Sequence, residues 1–203
     1  MDLAEIFPFP LDEFQIEAID AIKQGHSVVV SAPTGSGKTV IGEYAIYRAI
    51  SHKQRVFYTT PLKALSNQKL HDFRRQFGVE NVGLMTGDMS LNRDAAVVVM
   101  TTEIFRNMLY ASNENDDPLT NVEAVVLDEC HYMNDSQRGT VWEESIIHAP
   151  KSVQLLALSA TVANSGQLTD WIQKVHGPVK LVSSNFRPVP LFFNFCSAKG
   201  LHP

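Results

Sequence analysis

Two short stretches of this 203-residue chain bring together the residue types needed to hold and cleave a polyphosphate. The first is Ala32-Pro33-Thr34-Gly35-Ser36-Gly37-Lys38-Thr39, entered from the apolar run Val28-Val29-Val30. Gly35 and Gly37 let such a loop curl until its backbone N–H groups point inward at phosphate oxygens. A helix opening at Lys38 adds its positive end. The Lys38 ammonium then reaches the outer phosphates, and the Thr39 hydroxyl is a ligand for Mg²⁺. Pro33, Thr34 and Ser36 complete the cradle. The strict pattern begins with Gly, where this chain has Ala32, a small departure.

The second stretch is Asp128-Glu129-Cys130-His131, which follows the buried-looking run Ala124-Val125-Val126-Leu127. A carboxylate that ends a strand faces the crevice at the carboxyl edge of an α/β sheet. Asp128 would hold Mg²⁺ there, directly or through water. Glu129 would orient or deprotonate the attacking water. Cys130 reads as a small packed residue rather than a redox centre. His131 is a candidate link between the carboxylates and Ser159-Ala160-Thr161, if that segment's strand neighbours theirs.

These residues need a scaffold of short strands alternating with amphipathic helices. Strands are expected at 27–31, 55–60, 82–86, 96–101, 123–128, 154–159 and 179–183. Their apolar residues fall on both faces, as in strands covered by helices on both sides. Helices are expected at 12–24, 38–51, 62–77, 103–110, 140–148 and 166–175. Pro61 suits the first turn of the third, and Thr102 would cap the fourth with Glu103 near its positive end. The alternation predicts an α/β doubly wound domain with a mainly parallel sheet. The polar stretch 112–118 reads as an exposed loop.

A hydrophobic share of 44% supports a substantial core, and no apolar run has membrane-spanning length. The start is acidic rather than a basic signal region. Cys130 and Cys196 form no metal-ligand cluster, so a reducing, cytoplasmic compartment is the expectation. The net charge of −5 excludes a general basic coat for nucleic acid. Any such binding must use local geometry and weaken in high salt.

The two stretches, with four further blocks, resemble the DExH-box helicases of superfamily two. Ala32–Thr39 is similar to Walker A, and Asp128-Glu129-Cys130-His131 to motif II. Thr59-Thr60-Pro61-Leu62-Lys63-Ala64-Leu65 resembles motif Ia, and Thr86-Gly87-Asp88 the short Gly motif. Thr101-Thr102-Glu103 resembles motif Ib, and Ser159-Ala160-Thr161 motif III. The superkiller-type RNA helicase branch is suggested by Arg138-Gly139-Thr140-Val141-Trp142-Glu143-Glu144, by Ser159-Ala160-Thr161-Val162-Ala163-Asn164 and by Arg187-Pro188-Val189-Pro190-Leu191. Phe9-Pro10-Leu11-Asp12-Glu13-Phe14-Gln15 resembles that branch's adenine-reading segment. By that likeness Gln15 contacts the adenine edge, and Phe9 packs near the base or serves only as a core residue.

The resemblance implies a RecA-like fold, ATP and Mg²⁺ as cofactors, and a single strand, of RNA by the branch likeness, held by motifs Ia, Ib and Gly. Its contacts would come from Thr60, Pro61, Lys63, Thr86, Gly87, Thr101, Thr102 and Glu103, with Ser159 and Thr161 coupling the two sites. Contacts to backbone read no bases, so little sequence preference is expected. Arg106 faces either the strand or solvent, and Arg74-Arg75 reads as a surface pair. Residues 1–184 would form the first RecA-like domain, with 185–203 leading towards a second that is absent here. No segment after Ser159-Ala160-Thr161 matches that second domain, and Arg187 lies in the wrong context for an arginine finger. A DNA helicase or translocase, and a nucleotide-dependent binding module without turnover, remain the alternatives.

Overall fold

The computed structural model describes residues 3–111, 118–135, 139–161, 164–190, 192, 195–197 and 200–202. Most of the 112–118 loop, and Arg138, Val162, Ala163 and Leu191 of the branch-specific stretches, lie outside the described residues. The helices are α1 (Leu3–Ile6), α2 (Glu13–Lys23), α3 (Thr39–His52), α4 (Lys63–Phe77), α5 (Thr102–Ala111), α6 (Gly139–His148) and α7 (Ser165–Val175). The strands are β1 (Ser27–Ser31), β2 (Arg55–Thr60), β3 (Val82–Met85), β4 (Ser90–Leu91), β5 (Val97–Thr101), β6 (Val122–Leu127), β7 (Gln154–Ser159), β8 (Val179–Ser183), β9 (Phe195–Ser197) and β10 (Gly200–His202).

Eight of the strands form one sheet in the order β4-β3-β5-β2-β6-β7-β1-β8. Every pairing is parallel except β3 with β4. Alternation along each strand feeds two cores. Val28 and Val30 of β1, Val56 and Tyr58 of β2, and Ala124 and Val126 of β6 join one core with α2, α3 and α4. Val29, Phe57, Val125 and Leu127 point the other way, into a core with Phe105 of α5, Trp142 of α6 and Ile172 of α7. A strand buried on both sides has no face for polar residues, which is why these runs carry so few.

The seven expected strands and six expected helices are all present, with ends moved by one or two residues. Fraying and local capping explain such shifts. Helix α4 begins at Lys63, so Pro61 lies just before the helix rather than in its first turn. Five elements had no clear sequence signal. Helix α1 is a single turn, and β4 is a two-residue exposed edge strand. A 3-10 helix spans Cys130–Asn134, immediately after the Asp128-Glu129 pair. Strands β9 and β10 form a separate antiparallel hairpin outside the main sheet.

His176, buried behind α7, ties that helix to the sheet. Its Nε2–H donates to the Val153 carbonyl at 2.9 Å. Burial lowers its pKa below the ordinary 6.5, and the bond to the Val153 carbonyl only partly opposes this. The native imidazole therefore stays neutral where the unfolded chain binds a proton. That contribution is fully present above pH 6.5 and is lost as pH falls below it. Urea titrations should show wild-type stability declining below pH 6.5, with a flatter decline in His176→Gln; equal slopes would contradict this account.

Candidate nucleotide site and nucleic-acid face

Parallel pairing sends the ends of β1, β6 and β7 to one edge of the sheet, with β7 between the other two. The loop after β1 therefore lies beside both the Asp128 turn and the end of β7. Ala32 N–H donates to the Ser159 carbonyl at 3.2 Å, which seals the loop's entrance against β7. Gly35 and Gly37 have φ of 82° and 84°, a region that L side chains rarely occupy. A Cβ on Gly37 would also come within 2.7 Å of Gln15 Nε2.

Lys38 is buried at the head of α3. Its ammonium donates to the Ala32 and Pro33 carbonyls at 2.8 and 2.9 Å. Burial lowers its pKa; Glu129 and Asp128 oppose that effect, while Arg187 adds to it. The loop lysine and the two carboxylates thus share one electrostatic environment. Arg187 also donates to the Thr34 carbonyl at 3.2 Å.

The metal-ligand candidates are joined by a residue that sequence reasoning missed. Lys69 of α4 donates to Thr39 Oγ1 at 3.1 Å and lies 3.8 Å from Asp128 Oδ2. The same Asp128 oxygen accepts a 2.8 Å hydrogen bond from the fully buried Tyr58 hydroxyl. Burial, followed by the Asp128 charge, raises the Tyr58 pKa well above 10, so the phenol remains a donor. Neither residue carried a local signal: Tyr58 reads as a core strand residue, and Lys69 as an ordinary helix cation. The donor set suits a magnesium-bound polyphosphate. One hydroxyl and one carboxylate converge on a single cation, here an ammonium. Ser36 Oγ is buried with no hydrogen-bond partner among the described residues.

Glu129 occupies the left-handed region, with φ of 53° and ψ of 42°. Its N–H donates to Asp128 Oδ1 at 3.0 Å. His131 Nδ1 lies 3.2 Å from Glu129 Oε2, and the Ala160 N–H approaches the same nitrogen at 3.4 Å. One nitrogen cannot donate to Glu129 and accept from Ala160 together, so the two contacts are alternatives. A cavity of about 260 Å³ opens beside them, lined in part by His131, Glu143, Ser159 and Trp171. Ser159 is buried and Thr161 exposed.

At the α2 end, Gln15 uses both ends of its amide. Its Oε1 accepts from Asp12 N–H at 2.9 Å, and its Nε2 donates to the Gly37 carbonyl at 3.1 Å. Phe9 is about half exposed and leans on Phe7, with ring centroids 5.8 Å apart.

The DEAD/DEAH box helicase family matches residues 12–168. The chain belongs to that family. Over its whole length it is 54% identical to the DExH-box ATP-dependent RNA helicase DExH15, chloroplastic, of Arabidopsis thaliana, of which it covers 18%. It is 47% identical to the antiviral helicase SKI2 of Saccharomyces cerevisiae, over 98% of this chain and 15% of that protein. The solved helicase Lhr of Mycobacterium smegmatis, bound to single-stranded DNA and AMP-PNP, superposes with a TM-score of 0.69 at 26% identity. That match covers 89% of this chain and 26% of that one. The chain therefore spans about a fifth of the length of the curated relatives it matches.

In this DEAD/DEAH box domain the nucleic-acid candidates gather at the ends of β2, β3 and β5, along the same sheet edge. Two expectations need correcting. The Thr60 hydroxyl is buried, bonding Leu62 O at 3.1 Å and Ser66 Oγ at 2.7 Å. The Thr102 hydroxyl is also buried and donates to the Thr60 carbonyl at 3.2 Å. Both fasten helix starts rather than offer donors to a strand. Pro61 is buried as well, while Thr101 and Glu103 are half-buried and Gly87 is exposed. Thr86 Oγ1 is buried without a hydrogen-bond partner among the described residues. Lys63 pairs with Asp88. Arg106 pairs with Glu144 at 3.5 Å. Arg74 clips α4 to β3 through the Val82 carbonyl, so only Arg75 is an outward-facing surface cation.

Burial pushes the Cys130 thiol up to about 12, whereas Cys196 is exposed. The thiolate is the reactive form, so iodoacetamide at pH 8 should label Cys196 alone, as read by peptide mass spectrometry. Cys130 should label only after denaturant is added. Labelling of Cys130 in the folded chain would contradict its packing.

Proposed function

We propose that this chain is the ATP-binding motor domain of an ATP-dependent RNA helicase. It binds ATP-Mg and the backbone of single-stranded RNA, and it hydrolyses ATP only together with a second RecA-like domain. The observation that carries this reading is the convergence of Lys38, Thr39, Asp128 and Glu129 at one sheet edge. Two similar relatives, one named an ATP-dependent RNA helicase and the other an antiviral helicase, support the choice of activity. Residues 1–184 would form the first motor domain, and 185–203 its exit.

In this reading the backbone of Pro33–Gly37 and the Ser36 hydroxyl cradle the phosphates. Lys38 leaves the Ala32 and Pro33 carbonyls for the outer phosphates. Magnesium, held by Thr39 and Asp128, would supply charge neutralisation at the phosphates. Glu129 positions the attacking water and accepts its proton. His131 relays the state of Glu129 to Ala160, and so to Ser159 and Thr161, by exchanging its two alternative partners. Gln15 fixes the base-reading segment to the loop, and the open face of Phe9 packs near the adenine. The strand is met by Lys63, Gly87, Thr86, Thr101 and the backbone at the starts of α4 and α5, with Pro61 and Glu103 shaping those turns. An arginine finger from the second domain would contribute roughly 10³–10⁵ in rate. A reducing compartment suits the two free thiols.

DNA is the second reading, favoured by the fold's likeness to a helicase solved on single-stranded DNA. The test starts with titration of Mg-ATP into the chain. Lys38→Ala should weaken binding about tenfold or more, since a charge-assisted hydrogen bond is lost. Glu129→Gln should retain binding. Turnover by the chain alone should stay near background with RNA added, and robust RNA-stimulated turnover would overturn the need for a second domain. In the full-length protein, single-stranded RNA should stimulate turnover more than DNA; the reverse order would favour the DNA reading.

A further inference from the structure

The two oxygens read as magnesium ligands already share a cation. Lys69 Nζ reaches Thr39 Oγ1 at 3.1 Å and Asp128 Oδ2 at 3.8 Å. This is no loose surface pair, because both side chains are less than one-fifth exposed. The ammonium lies over two aromatic faces, with Nζ 5.2 Å from the Tyr58 ring centroid and 5.7 Å from that of Phe73. Those rings are themselves packed edge-on at 4.9 Å. Tyr58 donates to the same Asp128 oxygen. The ammonium is thus held by a hydroxyl, a carboxylate and two ring faces, each supplied by a different element.

We propose that Lys69 is a stand-in for the metal: its ammonium bridges Thr39 and Asp128 before a divalent cation arrives, and gives way when the cation binds. The inference rests on the magnesium reading above and adds a residue to it. Lys69 is a positioning residue. It keeps the Thr39 hydroxyl and the Asp128 carboxylate aimed at a common point, so the ligand pair is arranged in advance. It also discriminates. A free divalent cation must displace the ammonium and leaves it without an anionic partner. A cation that arrives with a nucleotide brings phosphate oxygens, which can receive the displaced charge. The site therefore favours metal-nucleotide over metal alone.

The probe is Mn²⁺, with unbound ion read by electron paramagnetic resonance in nucleotide-free chain. Lys69→Met keeps an unbranched apolar chain at this position but removes the charge. It should bind Mn²⁺ about tenfold more tightly than wild type. Lys69→Gln, a second variant without the charge, should show the same gain, and Lys69→Arg should stay like wild type. Adding Asp128→Asn to Lys69→Met should abolish the gain. Unchanged Mn²⁺ affinity in both uncharged variants, while wild type still takes up Mn²⁺ with ATP, would overturn the stand-in role and leave the metal site intact. Failure of wild type to take up Mn²⁺ even with ATP would overturn the metal site and this inference together.

Discussion

Parallel strand pairing is the constraint from which the site follows. In a parallel sheet every strand delivers its carboxyl end to the same edge, so the loops that follow must meet there. The order of strands decides which loops are neighbours. Because β7 separates β1 from β6, the loop holding Lys38 and the turn holding Asp128 flank the end of β7. The Ser31–Ser159 register then places Ser159 beside the loop's entrance, and the Ala32 N–H closes the junction. Strands β2, β3 and β5 carry the candidate nucleic-acid contacts along the rest of that edge. One sheet edge thus carries both sets of candidate residues.

Around Asp128 the electrostatics are arranged without free charge. Tyr58, Lys69 and the Glu129 N–H all address the same carboxylate. Lys38, buried nearby, leans on two backbone carbonyls and feels both acids. A buried charge that lacked such partners would be costly. The Lys69 contact with Asp128, at 3.8 Å, is the loosest of these and the readiest to be exchanged.

Much of this was legible from local chemistry. The phosphate loop, the Asp-Glu pair and the alternating apolar runs each carry their meaning in adjacent residues. Lys69 and Tyr58 do not, because their roles exist only once α4 lies over β2, beside the turn that carries Asp128. Thr60 and Thr102 show the converse difficulty. A threonine at a strand end can face a ligand or brace a helix start, and only packing chooses between them. The two-residue strand β4 and the 3-10 helix after Glu129 lacked the length or periodicity that makes an element visible. Arg74 looked like half of a charged surface pair because the Val82 carbonyl it clips belongs to another element.

Glu129 sits in a backbone conformation that suits glycine or asparagine better than a residue with a long side chain. Such a position stores about 1–3 kcal/mol of strain. Selection for heat resistance alone would therefore drift towards Gly or Asn here, and the hardier proteins would lack the carboxylate proposed to position water. Strain at this turn is therefore set beside the carboxylates that the proposed chemistry would use.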